Sequence, residues 1–558
     1  MISCFNNPFV DYLNSLHNGN AANQNAIGEV QISSPYFSTT QVRRPLVGYL
    51  SDKLLNHQFV ILTGHAGDGK TTLLAQLLEE LGGKQDTLYP CADVDCGSVA
   101  VHYVKDFSEL TKEQQDDELR RCFHCQSSCV LIANTGPLLG AFSRLNDQSN
   151  YESMLLDIMD LPSGGKVEIE GVGEAFLLNI ARVDNTDFIK PYLQNLLDST
   201  HWAECKLCPD IAKCPLYLNQ ALVSGGFSRA SSFIENIYIW LQEYDHHATI
   251  RQITAHITYS LTGGLTCAAI HRHAAANWRY RYLFSNLFFG YEGARKRGSS
   301  QQIRGIQLVN EARFDTKPTC VDYDLYNKHE YTAYYPAELA LLFDDAFNLH
   351  HDSDTAAMQL ILKRAYLFFG QNKAEIDKQQ AKETFSEWFE LYSGMKANGE
   401  KPKESLKKAI CSAINTLFVG ESLTDSADYI DLTLRRNNEQ TSNVQLLSGR
   451  ISTDNISLKC VPIETVSGQK QYQFEFCYGT MSHRITLPLL NYFYEIYRGI
   501  IITDIDPLLS NGIDSLKAQL LSSYSKATDE NEVPLVYLSG NRWVKRKLIV
   551  NDHSIDHD

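Results

Sequence analysis

The sequence predicts an α/β protein: a parallel sheet with a glycine-rich turn, then a helical region and a small β-containing C-terminal domain. Three observations predict it. The apolar run Phe59-Val60-Ile61-Leu62 leads into Gly64-His65-Ala66-Gly67-Asp68-Gly69-Lys70-Thr71, and a helical pattern follows from Thr72. Further β-type runs at residues 99–109, 129–137 and 175–183 alternate with helical stretches, the order that builds parallel sheets. Beyond Asp428 the apolar period changes to two, as in antiparallel hairpins.

The turn has the spacing G-x-x-x-x-G-K-T between a strand and a helix, which is the context a P-loop requires. Glycines let the backbone bend around phosphate oxygens where a Cβ would clash. The amides then converge on the anion at a helix N-terminus, whose unpaired donors and dipole favour negative charge. Residues Gly64, His65, Ala66, Gly67, Asp68, Gly69, Lys70, Thr71 and Thr72 are thus the candidate ATP-binding set. Lys70 reaches the β- and γ-phosphates, and the Thr71 hydroxyl ligates Mg²⁺. Asp68 is out of place beside phosphate and is expected to point to solvent or to a partner chain.

With 558 residues the chain is too long for one core, and 44% apolar with 21% charged residues is ordinary globular composition. Four parts are expected. Residues 1–44 form an N-terminal helix and linker, and 45–265 the sheet domain with a Cys-rich insertion at about 200–220. Residues 266–425 are mainly helical, and 426–558 form an α+β domain. No apolar run approaches the roughly 20 residues that cross a bilayer. The N-terminus lacks the basic start and apolar run of a secretion signal, and fourteen scattered or clustered cysteines suit a reducing compartment. A cytoplasmic protein with no membrane partner is expected. A net charge of −16 argues against a wholesale nucleic-acid wrapper, while leaving room for a local basic patch.

In chain order, Phe5, Phe9, Tyr12 and Leu16 have helical spacing, residues 18–41 read as a linker, and a helix from about 45 to 56 leads into the P-loop strand. The P-loop helix should stop at Gly82-Gly83. The run at 99–109 resembles a Walker B strand. Asp106 at its end would hold Mg²⁺ through water, and Glu109 would orient the attacking water. The other reading is a second strand of the sheet whose acid caps the next helix. The strand at 129–133 ends in Asn134, the position called sensor 1 in P-loop ATPases of the AAA+ (ASCE-like) type, or else a turn residue before Gly136-Pro137; if the 99–109 run is not Walker B, this strand takes its place and Asn134 sits where an acid is expected. In that type a helical lid follows and supplies an arginine to the γ-phosphate. Arg251, near the start of the helix at 249–261, is the candidate.

Cys205, Cys208 and Cys214 form a C-x₂-C-x₅-C-P run, and Cys122 and Cys125 form a second C-x₂-C. Three or four thiolates hold Zn²⁺ tetrahedrally, and the same spacing occurs in iron–sulfur sites. His201, Cys122 and Cys125 are candidates for a fourth ligand, and reduced thiols packed as small hydrophobes are the alternative. Arg279, Arg281 and Arg295-Lys296-Arg297 lie among Trp278, Tyr280, Tyr282 and Phe284, a pattern for phosphate backbone or for a solvated basic face. Near the end, residues 541–547 read as a basic aromatic strand, either a DNA contact or, the favoured reading, a sheet edge kept soluble by lysine.

The residues at 64–72, Lys105-Asp106-Phe107-Ser108-Glu109, Ile132-Ala133-Asn134-Thr135-Gly136-Pro137 and the run Cys205, Cys208, Cys214-Pro215 resemble the F component of bacterial phosphorothioation-dependent restriction systems. The resemblance extends over residues 45–265 and more loosely beyond. It implies an ATPase that works with two partners, the G and H components, against duplex DNA lacking sulfur in its backbone, with a homo-oligomer among the possible assemblies. No cluster of acids with a lysine marks a nuclease in this chain. The other function class is a nucleotide-gated switch or scaffold with slow hydrolysis.

Overall fold

The computed structural model describes residues 5–17, 34–83, 88–97, 99–145, 151–169, 172–273, 276–348, 355–371, 382–419, 428–433, 444–466, 470–500, 505–524, 532–540, 542–551 and 554–557. The chain divides into two compact units, Met1–Thr384 with Thr465–Gln469, and Phe385–Glu464 with Lys470–Asp558.

In the first unit, helix α1 (Pro8–Leu16) is capped by the Asn7 side chain and buries Phe9, Val10, Leu13 and Leu16. Helix α2 (Leu46–His57) leads into strand β1 (Phe59–Thr63), and the glycine loop delivers the chain to α3 (Lys70–Glu80). Strands β2 (Cys91–Asp95) and β3 (Ala100–Val104) follow, then α4 (Lys112–His124), β4 (Ser128–Ile132), α5 (Thr135–Leu145) and α6 (Tyr151–Met159). Strands β5 (Gly165–Ile169) and β6 (Gly173–Asn179) complete a six-stranded sheet in the order β2-β3-β4-β1-β6-β5.

The four central strands are parallel, with Val60 of β1 level with Val130 of β4 and Phe176 of β6. The edge strands β2 and β5 are antiparallel to their neighbours, so the sheet is mixed rather than wholly parallel. These two edges escape sequence reading because they are half-exposed and lack the continuous apolar run of a strand buried on both faces. The strand beside β1 is β4, with β3 one place further out, so the 99–109 run does not adjoin the glycine-loop strand. The run at 175–183 stops being a strand at Asn179, whose side chain accepts the Ala181 N–H and starts a 3₁₀ turn.

Alternation along β1 divides its side chains between two cores. Val60 and Leu62 pack with Leu50, Leu54, Leu73 and Leu77 from α2 and α3. Phe59 and Ile61 pack with Leu119, Leu138, Phe142 and Leu155 from α4, α5 and α6. With helices on both faces, a three-layer α/β sandwich holds the carboxyl ends of β1, β3, β4 and β6 along one rim.

Helices α7 (Ile189–Leu196), α8 (Pro215–Gly225), α9 (Phe227–Glu243), α10 (Ile250–Thr262) and α11 (Cys267–His271) come next. The Thr249/Gln252 capping box starts α10 and Gly263, at φ +57°, ends it. Then come α12 (Phe284–Phe288), the small hairpin β7 (Tyr291–Glu292) and β8 (Arg295–Lys296), α13 (Arg304–Ala312), α14 (Ala337–Asn348) and α15 (Thr355–Phe369). These helices enclose a charge. Arg364, only 1% exposed, donates to Asp315 at 2.8 Å and to Asn286 Oδ1 at 2.7 Å, and its guanidinium lies 3.8 Å from the centre of the Tyr291 ring.

The second unit contains α16 (Phe389–Asn398), α17 (Glu404–Val419), β9 (Tyr429–Thr433), β10 (Val444–Ser452), β11 (Ile456–Ile463), β12 (Gln471–Tyr478) and β13 (Met481–Arg484). It continues with α18 (Leu487–Tyr497), α19 (Pro507–Ser523), β14 (Glu532–Ser539), β15 (Arg542–Asn551) and β16 (Ser554–His557). Strands β11 and β12 pair antiparallel as expected from their period of two, while the Ser467-Gly468 turn lies outside the described residues. In the basic strand β15, residues 542–549 pair with β14 on one side while β16 pairs only with 548–551 on the other, so the described part of the basic run, 542–547, lies at an edge of the ladder as expected, and its Lys545 reaches the buried Asp431 carboxylate at 2.8 Å. Among the described residues no helix is long and apolar enough to cross a membrane.

Removing one partner of a buried ion pair strands the other, which typically costs about 3–5 kcal/mol. Asp315→Ala should therefore lower the melting transition of the first unit markedly. Replacing Arg364 by Met in the same chain should recover much of the loss, as thermal unfolding of the single and double variants would measure.

Candidate functional site

The rim of the sheet gathers the loop that follows β1. Gly64, Gly67 and Gly69 have φ of +147°, +98° and +81°, backbone that favours glycine. A Cβ on Gly64 would lie 3.1 Å from Asp68 Oδ2, and one on Gly67 would lie 3.1 Å from Arg251 Cβ. The loop closes tightly on itself and on α10.

Lys70 opens α3 and folds back over this loop. Its ammonium donates to the Gly64 and His65 carbonyls, each at 2.9 Å, and to Asn134 Oδ1 at 3.3 Å. Burial depresses the Lys70 pKa, Asp68 and Asp106 act against that, and Arg251 adds to it. Thr71 and Thr72 are half-buried in the first turn of α3, while His65 and Ala66 form its exposed tip.

Asp68 does not face solvent or another chain. It is fully buried; its Oδ2 accepts the His65 N–H at 2.8 Å, and its Oδ1 lies 3.1 Å from His247 Nε2. The carboxylate turns away from the concave side of the loop because two donors of its own chain meet it behind the loop. His247 just precedes α10, and the Arg251 N–H of that helix donates to Gly67 O at 3.1 Å. The Arg251 side chain is exposed beside the loop.

Asp106 and Asn134 follow β3 and β4. The Asp106 side chain accepts the Ser108 N–H at 3.0 Å, capping a 3₁₀ turn over Phe107–Glu109. Ser108 Oγ in turn accepts the Asn134 N–H at 3.3 Å, so the two strand ends are joined. Asn134 contacts the Lys70 ammonium directly, and Asp106 is near enough to act on it. Glu109 is exposed at the end of the 3₁₀ turn, attached through its N–H to Asp106 O. Lys70, Asp106, Asn134 and Arg251 thus assemble around the loop, and Glu109 follows Asp106 in the same 3₁₀ turn with its side chain exposed.

Sequence reading missed the cavity behind the loop. About 80 Å³ is enclosed by Gly69, Thr72 and Leu73 on one side and by Tyr12, Phe37, Phe188, Tyr192 and Ile250 on the others. Two polar groups in its lining are buried without partners: Nε and Nη1 of Arg44, and Oε1 of Gln76. The rest of each side chain is fixed, with Arg44 Nη2 on Asn185 Oδ1 at 2.9 Å and Gln76 Nε2 on Val42 O at 3.0 Å. Buried polar atoms left unpaired are costly, so these mark where a ligand's polar edge would fit. The residues come from five separate segments, and no local spacing connects them.

Cys205, Cys208 and Cys214 do meet in space, around a different cavity. Cys122 and Cys125 are not with them; they cluster with Cys129 at the junction of α4 and β4. His201 instead stacks on Phe9 at 4.4 Å between ring centres. In the basic tract, Trp278, Tyr282 and Phe284 are core residues, which removes three of the four aromatic rings expected to interleave with the cations. Arg281, Arg295, Lys296 and Arg297 line an open groove of about 750 Å³ beside Tyr280.

Asp68 and His247 should be coupled energetically, because they join the loop to α10. Loss of the Asp68 carboxylate should cost about 3 kcal/mol or more, and loss of His247 less. A double-mutant cycle of Asp68→Ala and His247→Ala by chemical denaturation should give a coupling above about 0.5 kcal/mol; strict additivity would sink the latch.

Compared with protein-family models, curated proteins and solved structures, this chain matches none, and its site is read from its own residues alone.

Proposed function

We propose that the chain binds ATP with Mg²⁺ at the loop of residues 64–71 and hydrolyses it to ADP and phosphate, as a P-loop ATPase of the AAA+ type. The observation that supports this is the convergence on Lys70 of groups from three separate strand ends: the loop after β1, Asp106 after β3 and Asn134 after β4. In open α/β sheets ligands bind outside the carboxyl ends of the strands, where the chain switches direction across the sheet. Here β1 is that point, with β4 on one side and β6 on the other.

In this reading the first amides of α3 and the loop glycines cradle the phosphates. Lys70 exchanges the Gly64 and His65 carbonyls for β- and γ-oxygens. Thr71 and, through water, Asp106 hold Mg²⁺, and Asn134 faces the γ-phosphate. Arg251 comes from the lid helix α10. The base enters the cavity behind the loop, stacked among Tyr12, Phe37 and Ile250, with Arg44 and Gln76 on its polar edge.

The setting, a bacterial phosphorothioation-dependent restriction complex with G and H components acting on unmodified duplex DNA, rests on the resemblance of the motifs. The cationic groove of Arg281, Arg295, Lys296 and Arg297 is the surface of the first unit suited to phosphate backbone. The contacts that join the loop to α10 favour a second reading, a nucleotide-gated switch with slow hydrolysis. Asp68–His247 and Arg251 N–H to Gly67 O would then pass the state of the loop to α10.

Lys70→Ala should abolish turnover in a folded protein, and wild-type hydrolysis by that variant would overturn the assignment. Asp106→Asn should weaken Mg²⁺-dependent binding, and Asn134→Ala should spare binding while slowing turnover. Glu109→Gln separates the two readings. A loss of about 10²-fold or more would make it the group that orients water, and unchanged turnover would favour the switch. Stimulation of turnover by duplex DNA, lost in Arg295→Glu with Lys296→Glu, would support the DNA-linked setting.

A further inference from the structure

The Cys-rich run lies on a stretch with little regular structure, two 3₁₀ turns at Glu204–Leu207 and Ile211–Lys213 before α8. Such a stretch buries little apolar surface of its own. Yet its three cysteines line one small cavity of about 20 Å³, and a fourth thiol, Cys267 at the start of α11, lines it with them. The four sulfurs come from the 205–208 turn, the α8 N-terminus and the segment after α10. Nothing in the local spacing of 205–214 pointed to Cys267.

Donors reach three of the four sulfurs. The Asn7 amide, 2% exposed, donates to Cys205 Sγ at 3.2 Å and is fixed by a second bond to His201 O at 2.9 Å. Cys214 caps α8 at its Pro215 start, where the Tyr217 and Leu216 amides favour its ionised form. The Asn7 backbone amide does the same for Cys267. Sulfur is a weak acceptor as a thiol and a good one when ionised. Against these donors, burial raises the Cys205 and Cys267 pKa values and pushes Cys214 to about 12.

His271 also lines the cavity but is not available as a ligand. Its Nδ1 bonds Asp210, and its Nε2 lies 2.8 Å from Phe5 O, so both nitrogens are engaged with acceptors. Asp210 raises its pKa.

We infer that Cys205, Cys208, Cys214 and Cys267 form a four-thiolate metal site, which takes Zn²⁺ or an iron–sulfur cluster and ties the N-terminal segment at Phe5–Asn7 to α8 and α11. Four cysteine sulfurs are the donor set of either centre. Among the described residues no three Cys, His, Asp or Glu side chains already stand as a formed ion site, so the thiols must turn into the cavity to close on the metal. Closure releases the thiol protons as each sulfur is metallated, which makes occupancy fall at low pH.

The test is metal and sulfide analysis of the full chain purified without chelator and without oxygen. About one zinc per chain, or about four irons with equal sulfide and a brown colour, is expected. Cys267→Ser should lose most of that metal, as should Cys205→Ser, whereas Cys320→Ser, exposed and away from the cavity, should retain it. Metal-free wild-type protein, or full occupancy in Cys267→Ser, would overturn the site. Should the serine variants fail to fold, the wild type decides: a chelator that strips its metal should expose about four more reactive thiols, and none would count against the site. These readouts do not depend on nucleotide binding.

Discussion

The carboxyl rim of the sheet depends on the buried carboxylate of Asp68. A carboxylate removed from water is unfavourable unless charges and donors surround it. Here the His65 N–H and His247 bond it directly, and Lys70 and Arg44 are near enough for it to favour their charged forms. Gly64 has to be glycine partly for this reason, since a Cβ there would press on Asp68 Oδ2. The shape of the loop, the position of Lys70 and the seating of α10 are therefore one electrostatic arrangement. In the proposed ATPase an acid within the loop supports it from behind and leaves the concave side to phosphate.

The same arrangement explains why Lys70 is poised rather than spent. Its ammonium is held by two backbone carbonyls and one side-chain amide, which are neutral partners. A polyphosphate would replace neutral oxygens with charged ones, and charge-assisted bonds are roughly twice as strong. Burial already disfavours the ammonium here, so an incoming anion restores what the site withholds from it.

Helix α1 connects two features that lie far apart in the sequence. Tyr12 and Leu16 form part of the wall of the cavity behind the loop, while Phe5 and Asn7, just before the helix, close the thiol cavity. Asn14 bonds the Leu265 carbonyl at 2.8 Å, and His17 lies 3.0 Å from Thr262 Oγ1, fixing the helix along α10. A metal held by the four thiolates would anchor this segment at one end and leave its other end facing the proposed base.

The sequence by itself determined the glycine loop, the helix after it, the buried strands β1 and β4 and the paired strands β11 and β12. Each is set by local rules: glycine at left-handed backbone, period two or three and six-tenths, and apolar runs buried on both faces. It also named Lys70, Asp106, Asn134 and Arg251, because each sits at or near the end of an element that the local pattern delimits. The tertiary structure alone puts β4 rather than β3 beside β1 and gives the sheet its antiparallel edges. Strand order depends on which surfaces bury one another, and no residue carries that locally. It alone turned Asp68 inward to His247, brought Arg44 and Gln76 to one cavity, and set Cys267 beside Cys205, Cys208 and Cys214. These partners are separated by tens to hundreds of residues, and only the packing of helices on a shared sheet brings them within bonding distance.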